Sequence, residues 1–326
     1  YMELDLPKIG FGGAPIGGLL NFVDDKEAVE TVKIAIKSGI RYFDTAPFYG
    51  FGLSEHRLGE VLRDRRDVIL SSKVGRLLKP GLPEKPASYG WPRPLPFHPV
   101  FDYGYDAVMR SYEDSLQRLG RDKIDILFLH DIGSFTHPNS SKERQYFEDA
   151  MAGGYKALDE LRQSGDVKAI GIGVNEIDVS LRALDYGKWD IFLLAGRYTL
   201  LEQRSALQEL FPKCASKSVK IIIGGPFNSG ILVGGKTWNY ENAPKEVIDK
   251  AHRLAIVCKS HCVPMPAAAL RFPLAHPAVK SVIPGCRNPQ EFKQLMEWWN
   301  TKIPTELWSD LKSQGLIDQI APVPGA

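Results

Sequence analysis

A chain of 326 residues, 44% apolar and 25% charged, is long enough to bury one large core or two smaller ones. Its formal net charge of +2, with no lysine/arginine run, argues against a nucleic-acid surface, and no apolar segment reaches the roughly 18 residues of a membrane span. The N-terminal "YMELDLPKIG" has no basic stretch leading into a hydrophobic one, and Cys214, Cys258, Cys262 and Cys286 lack metal-ligand spacing; free thiols, no metal and a cytoplasmic location are the expectations.

Along the chain, strand-like "KIGFGGA" (8–14) precedes a helical pattern, "DDKEAVETVKIAIKSG" (24–39). There Ala28, Val32, Ala35 and Ile36 share one face, an aspartate can cap the start and Gly39 can end it. "IRYFDT" and "SEHRLGEVLRD" follow, then "VILSSK" (68–73), a long loop at 75–103 and the helix "YDAVMRSYEDSLQRLG". "IDILFLH" (124–130) leads into a second, polar loop at 131–147 and a helix around "YKALDELRQSG". The last four pairs open with "VKAIGIGV", "IFLLAG", "VKIIIGG" and "VKSVIPG". These strands are unbroken apolar runs, as a parallel sheet covered on both faces requires. Eight strand–helix units predict a single α/β domain, a (β/α)8 TIM barrel spanning 1–326. A doubly wound open sheet would need a G-x-G-x-x-G turn opening its first helix, whereas "GFGGAP" runs into a loop. The proline-rich loop at 75–103 carries Trp91, Phe97 and Phe101, which points to function.

In such a barrel, chemistry gathers at the C-terminal strand ends. The second strand ends in Asp44 with Tyr49 in its loop, the third in Lys73, and the fourth in His130 followed by Asp131. Any one of these is commonly structural; four from three adjacent strands on one rim point to a site. A free phenol titrates near 10, and a neighbouring ammonium lowers that value. Lys73 could do this for Tyr49, with Asp44 keeping the lysine charged and His130 orienting a substrate oxygen. The set suits proton exchange with a hydroxyl or carbonyl while a hydride moves elsewhere. Asp131 reads either as a binder of substrate hydroxyls or as a solvated loop charge. After the seventh strand, the glycines of "GGPFNSGIL" let backbone N–H groups approach a pyrophosphate, and after the eighth, "PGCRNPQEF" offers Arg287 to a phosphate. Two ordinary Gly/Pro turns are the alternative.

"FDTAPFYGFGLSEHRLGEVL", "SSKVG" and "ILFLHD" resemble the aldo-keto reductase family over nearly the whole chain. The resemblance implies that Tyr49 transfers the proton, that Lys73 and Asp44 tune it, and that His130 orients the substrate. "GIGVN", "FLLAGRYTLLEQ" and "GGPFNSGILVGG" look like a branch holding aldose and pyridoxal dehydrogenases. By the same resemblance Asn175 would hold a nicotinamide carboxamide. Gly225, Pro226, Phe227, Ser229, Gly230 and Leu232, with Gly285, Arg287, Glu291 and Gln294, would hold the rest of the dinucleotide. The chain departs from the family at Val174, Ala195 and Gly224, the last standing where an aromatic usually stacks on nicotinamide. Gly285 and Glu291 stand where basic groups clamp a 2′-phosphate, which favours NAD over NADP. Phe48, Trp91 and Trp238, with Asp131, are expected around a small-molecule substrate. The implied activity is NAD-dependent oxidation of the anomeric hydroxyl of an aldose to the lactone. The alternatives are oxidation of pyridoxal, as its hemiacetal, and a non-catalytic nucleotide-sensing subunit. No nucleic-acid or membrane partner is expected, and oligomeric state is not legible.

Overall fold

The computed structural model describes residues 4–325, and strand–helix alternation is its ground plan. β1 (Phe11–Gly12) leads to α1 (Asp25–Lys37), and β2 (Tyr42–Asp44) to α2 (Leu53–Leu62). β3 (Ile69–Val74) is followed by β4 (Arg76–Pro80), β5 (Phe97–Phe101) and α3 (Tyr105–Leu119). β6 (Ile126–His130) precedes α4 (Ser140–Asp149) and α5 (Tyr155–Ser164); β7 (Ala169–Val174) precedes α6 (Ile177–Ala183); β8 (Ile191–Ala195) precedes α7 (Phe211–Ser216). After β9 (Lys220–Gly224) come β10 (Thr237–Trp238), β11 (Glu241–Asn242), α8 (Lys245–Ser260) and α9 (Met265–Arg271). β12 (Val279–Ile283), α10 (Pro289–Asn300) and α11 (Thr305–Ser313) complete the order.

The eight-stranded sheet runs β1-β2-β3-β6-β7-β8-β9-β12, all parallel. Parallel bridges Ile9–Val282 and Gly12–Gly285 bring its two ends together, giving the (β/α)8 barrel the sequence predicts. Its first strand is shorter than the segment 8–14. Side chains alternate across the sheet. Tyr42, Ile126, Phe128, Leu193, Ile222 and Ile283 fill the interior, while Phe43, Leu70, Leu127, Ile170 and Ile221 pack against the helices. Both faces are therefore buried, which is why the strands read as continuous apolar runs. α1 shows the helical half of the design. The Asp24 carboxylate accepts the Glu27 N–H at 2.8 Å, a cap worth about 1 kcal/mol, and Ala28, Val32, Ala35 and Ile36 face the sheet.

Two segments depart from the sequence reading. The stretch 75–103 is not an irregular loop: β4 and β5 pair antiparallel from Arg76–Phe101 to Pro80–Phe97. Its prolines mask the strand pattern, and they are tolerated because a two-stranded ribbon is all edge. Gly75, at φ 111°, turns β3 into this hairpin; a Cβ there would fall 2.2 Å from the Tyr103 ring. The second loop gives way to α4 at Ser140, with Asn139 accepting from the Lys142 N–H at 3.0 Å. Only Glu143 and Phe147 of that helix are buried, so no apolar stripe marks it in the sequence. Among the described residues no helix is long and apolar enough to cross a membrane.

Candidate active site

The β2–β3 register sets Asp44 opposite Ser71, and two residues on, Lys73 projects to the same interior face. Lys73 Nζ donates to Asp44 Oδ2 at 2.7 Å and to the Thr45 carbonyl at 2.8 Å. Ser71 Oγ donates to Asp44 Oδ1 at 2.6 Å and itself accepts from the Tyr42 hydroxyl at 2.9 Å. The Tyr49 ring lies 4.8 Å from Lys73 Nζ, 6.0 Å from the His130 ring and 5.8 Å from Trp91. Asp44, Tyr49, Lys73 and His130 thus meet on one rim.

Electrostatics alter one expectation. The Tyr49 phenol is pushed well above its ordinary range by burial first, then by Asp44 and Asp131, with Arg76 opposing. Lys73 stands over the ring, and its charge is already engaged by Asp44, so in the free protein it does not bring the phenol down. Burial also raises Asp44, against the pull of Lys73 and Ser71. His130 is held well below the usual histidine value by burial, then by Arg76 and Lys73, so its imidazole is neutral.

Arg76 escaped the sequence reading. It opens a hairpin that reads as loop, where an arginine is ordinarily solvated. In the structure it is buried between His130 and Asp131. Asp131, in the left-handed region at φ 52°, also lies 3.4 Å from Asn175 Nδ2. Phe48 and Trp91 form an edge-to-face pair, 5.5 Å between centroids, beside Tyr49 and His130.

A cavity of about 730 Å³ runs from Asp44 and Tyr49 to Arg287, Glu291 and Gln294 at the start of α10. Gly225, Pro226, Phe227, Ser229, Gly230 and Gly285 line it, as expected of a dinucleotide cradle. Glycines recur along its wall: a Cβ on Gly285 would stand 2.6 Å from the Pro15 ring, and Gly230, at φ 106°, has open space where its Cβ would be. These features fit a nicotinamide dinucleotide. Three expected residues sit elsewhere. Leu232 is wholly buried in the core, Trp238 packs against that core, and Asn175 lies just outside the cavity. Tyr240, from the β10–β11 turn, takes the place expected of Trp238: it lines the cavity, and its hydroxyl reaches Asn175 Oδ1 at 3.3 Å. At Gly224, where the aromatic is missing, a Cβ would already meet Leu193 at 3.1 Å. At the far end Arg287 gives its side chain and its backbone N–H to the Glu291 carboxylate. A separate cavity of about 710 Å³ lies behind Asn175, walled by the Arg197–Glu202 pair and Asp318; none of the four rim groups lines it.

The sequence profile of the aldo/keto reductase family matches residues 8–315. Over 330 residues the chain is 42% identical to pyridoxal 4-dehydrogenase of Microbacterium luteolum, covering 96% of this chain and 95% of that one. It is 38% identical over 325 residues to D-threo-aldose 1-dehydrogenase of Pseudomonas sp, with the same coverage of 96% and 95%. Identity to L-galactose dehydrogenase of Arabidopsis thaliana is 29% over 324 residues, covering 97% and 90%. Among solved structures, the holo form of an aldo-keto reductase from Bacillus halodurans matches with a TM-score of 0.71 at 24% identity, over 98% of this chain and 94% of that one, and shares the fold.

Proposed function

The chain belongs to the aldo/keto reductase family, and from that premise we propose an NAD-dependent dehydrogenase that oxidises the anomeric hydroxyl of an aldose to the lactone. The observation that carries this reading is the meeting of Tyr49, Lys73, Asp44 and His130 at one end of a glycine-rich cavity of about 730 Å³ that reaches Arg287 and Glu291. A dinucleotide held along Gly225, Ser229, Gly230 and Gly285 would supply the hydride acceptor. The protein's part is proton traffic and placement. Tyr49 rests protonated, ready as the acid of the reductive direction. It serves as base in oxidation as its phenolate forms beside the Lys73 ammonium and the Arg76 guanidinium. Neutral His130 orients the substrate oxygen, Phe48 and Trp91 wall the ring of the substrate, and Asp131 accepts from its hydroxyls.

Glu291 supports NAD over NADP. Among the described residues Arg287 is the one cationic side chain lining the cavity, and it is held by that carboxylate. A 2′-phosphate there would lack a free cationic partner and face a like charge. A second reading, oxidation of the cyclic hemiacetal of pyridoxal to its lactone, uses the same chemistry. It is favoured by the 42% identity to pyridoxal 4-dehydrogenase and by the aromatic wall.

The test is NADH or NADPH absorbance with L-fucose, L-galactose, D-arabinose and pyridoxal, each with NAD and with NADP. Reduction of NAD by a sugar supports the first reading, and turnover of pyridoxal alone selects the second. Nucleotide binding without turnover of any substrate would leave the nucleotide-sensing role.

A further inference from the structure

Arg76 is none of the four rim groups, yet it joins His130, Asp131, Phe48 and Phe101. It is 4% exposed, and its guanidinium carbon lies 4.0 Å from the Phe48 ring centroid and 5.1 Å from that of Phe101. Nη2 donates to Asp131 Oδ2 at 2.9 Å. Nη1 stands 2.9 Å from His130 Nδ1 and 3.3 Å from Nε2. A guanidinium only donates and does not deprotonate in a protein. Whichever ring nitrogen takes this donor must present its lone pair; with the nearer one, Nδ1, as acceptor, the proton of the neutral imidazole sits on Nε2. Burial first, then the charges of Arg76 and Lys73, keep the ring neutral, and Asp131 Oδ2 lies 3.4 Å from Nε2, where a carboxylate favours the proton on that nitrogen.

A buried arginine that merely closed a core ion pair would be expected to satisfy its own donors. Arg76 Nε is buried without a partner, while both terminal nitrogens are directed at site residues. Burying a guanidinium is costly, so an orphan donor kept at this position points to placement, not stability, as what the residue supplies.

We infer that Arg76 is a positioning residue that fixes His130 as the Nε2–H tautomer and holds the strained Asp131 carboxylate beside it. A donor and an acceptor are thereby presented together: Nε2–H to the reacting oxygen and Asp131 to a neighbouring hydroxyl of the substrate. The catalytic consequence rests on the dehydrogenase reading; the tautomer is a property of the free protein.

Long-range ¹H–¹⁵N correlation of the histidine rings tests it, with His130→Gln supplying the assignment. In the wild type His130 should show the Nε2–H pattern and no titration near the ordinary value of about 6.5. In Arg76→Met the ring should populate both tautomers and titrate at a higher pH. With a substrate that is turned over, kcat should fall about 10–100-fold with a smaller change in the apparent dinucleotide Kd. Arg76→Lys should keep the ring neutral but recover only part of kcat, because a single ammonium cannot bridge His130 and Asp131. An Nδ1–H tautomer in the wild type overturns the inference without any variant, as does Arg76→Lys with wild-type tautomer and full kcat. Should no substrate be oxidised while the Nε2–H pattern stands, the dehydrogenase reading fails and the assignment of the tautomer survives.

Discussion

Replacing Lys73 by methionine asks whether Asp44 and Lys73 act as one unit. Both are 2% exposed, and the ammonium is 2.7 Å from the carboxylate. In Lys73→Met, Asp44 keeps the Ser71 hydroxyl and loses the cation. If the carboxylate stays charged, a buried pair broken from one side costs roughly 3–5 kcal/mol. The other route is to bind a proton, toward which burial already pushes Asp44. Taking the unfolded aspartate at about 3.9, that route costs about 1.4 kcal/mol per pH unit, or about 4 kcal/mol at pH 7. The two routes agree, so the variant should lose about 3–4 kcal/mol at neutral pH. The sign is fixed: a carboxyl whose folded pKa is raised carries a penalty that is absent below the unfolded value and grows as pH rises above it. At pH 5 the proton route costs only about 1.5 kcal/mol. Urea unfolding of both proteins at pH 7 and pH 5 measures the effect, and the gap should shrink by about 2–3 kcal/mol on acidification. Adding Asp44→Asn to the variant should remove most of that pH dependence. An equal gap at both pH values, or a double variant as pH-dependent as the single one, would refute the coupling.

The remaining predictions concern the phenol and the cofactor. Tyr49→Phe should lower turnover by roughly 10²–10⁴-fold while leaving NAD affinity, read by fluorescence titration, nearly unchanged; near-wild-type turnover would remove Tyr49 from the mechanism. Because burial, Asp44 and Asp131 all raise the phenol, no Tyr49 phenolate should form in the free protein below about pH 10. The ultraviolet difference titration of wild type against Tyr49→Phe checks this, and a phenolate appearing by pH 9 would contradict it. With chemistry limiting, kcat/KM for oxidation in turn should climb with pH toward the alkaline limit, because the base is the minor form throughout. Glu291→Arg should improve NADP affinity by about 1–3 kcal/mol, roughly 5–150-fold, since it adds a cation and also frees Arg287 from its carboxylate. A wild type that uses both cofactors equally, or a variant with no gain toward NADP, would sink the charge argument.

What could be read from the sequence, and what could not, follows the backbone. Asp44 and Lys73 were visible because a charge at the end of a strand interrupts an apolar run, and the parallel register then carries both to the barrel interior. His130 stood out for the same reason at the end of β6. Arg76 was not visible, because it meets His130 across 54 residues of chain from a proline-rich hairpin whose alternation is broken. Tyr240 was hidden in the same way, in a turn between two-residue strands, while Trp238, the aromatic expected from the sequence, packs against the core. Even for residues that do meet on the rim, fine placement was not legible: sequence pairs Lys73 with Tyr49 but cannot tell that the ammonium lies over the ring, engaged by Asp44. Asp44, Lys73 and His130 ride on strands whose geometry the barrel dictates and Tyr49 follows in the short turn after β2, whereas Arg76, Trp91 and Tyr240 come from longer excursions whose geometry it does not dictate. The strand-end charges of the rim stand out against apolar runs, whereas the groups expected around the substrate come from several loops with no pattern of their own, and the reaction class is accordingly more legible in the sequence than the substrate.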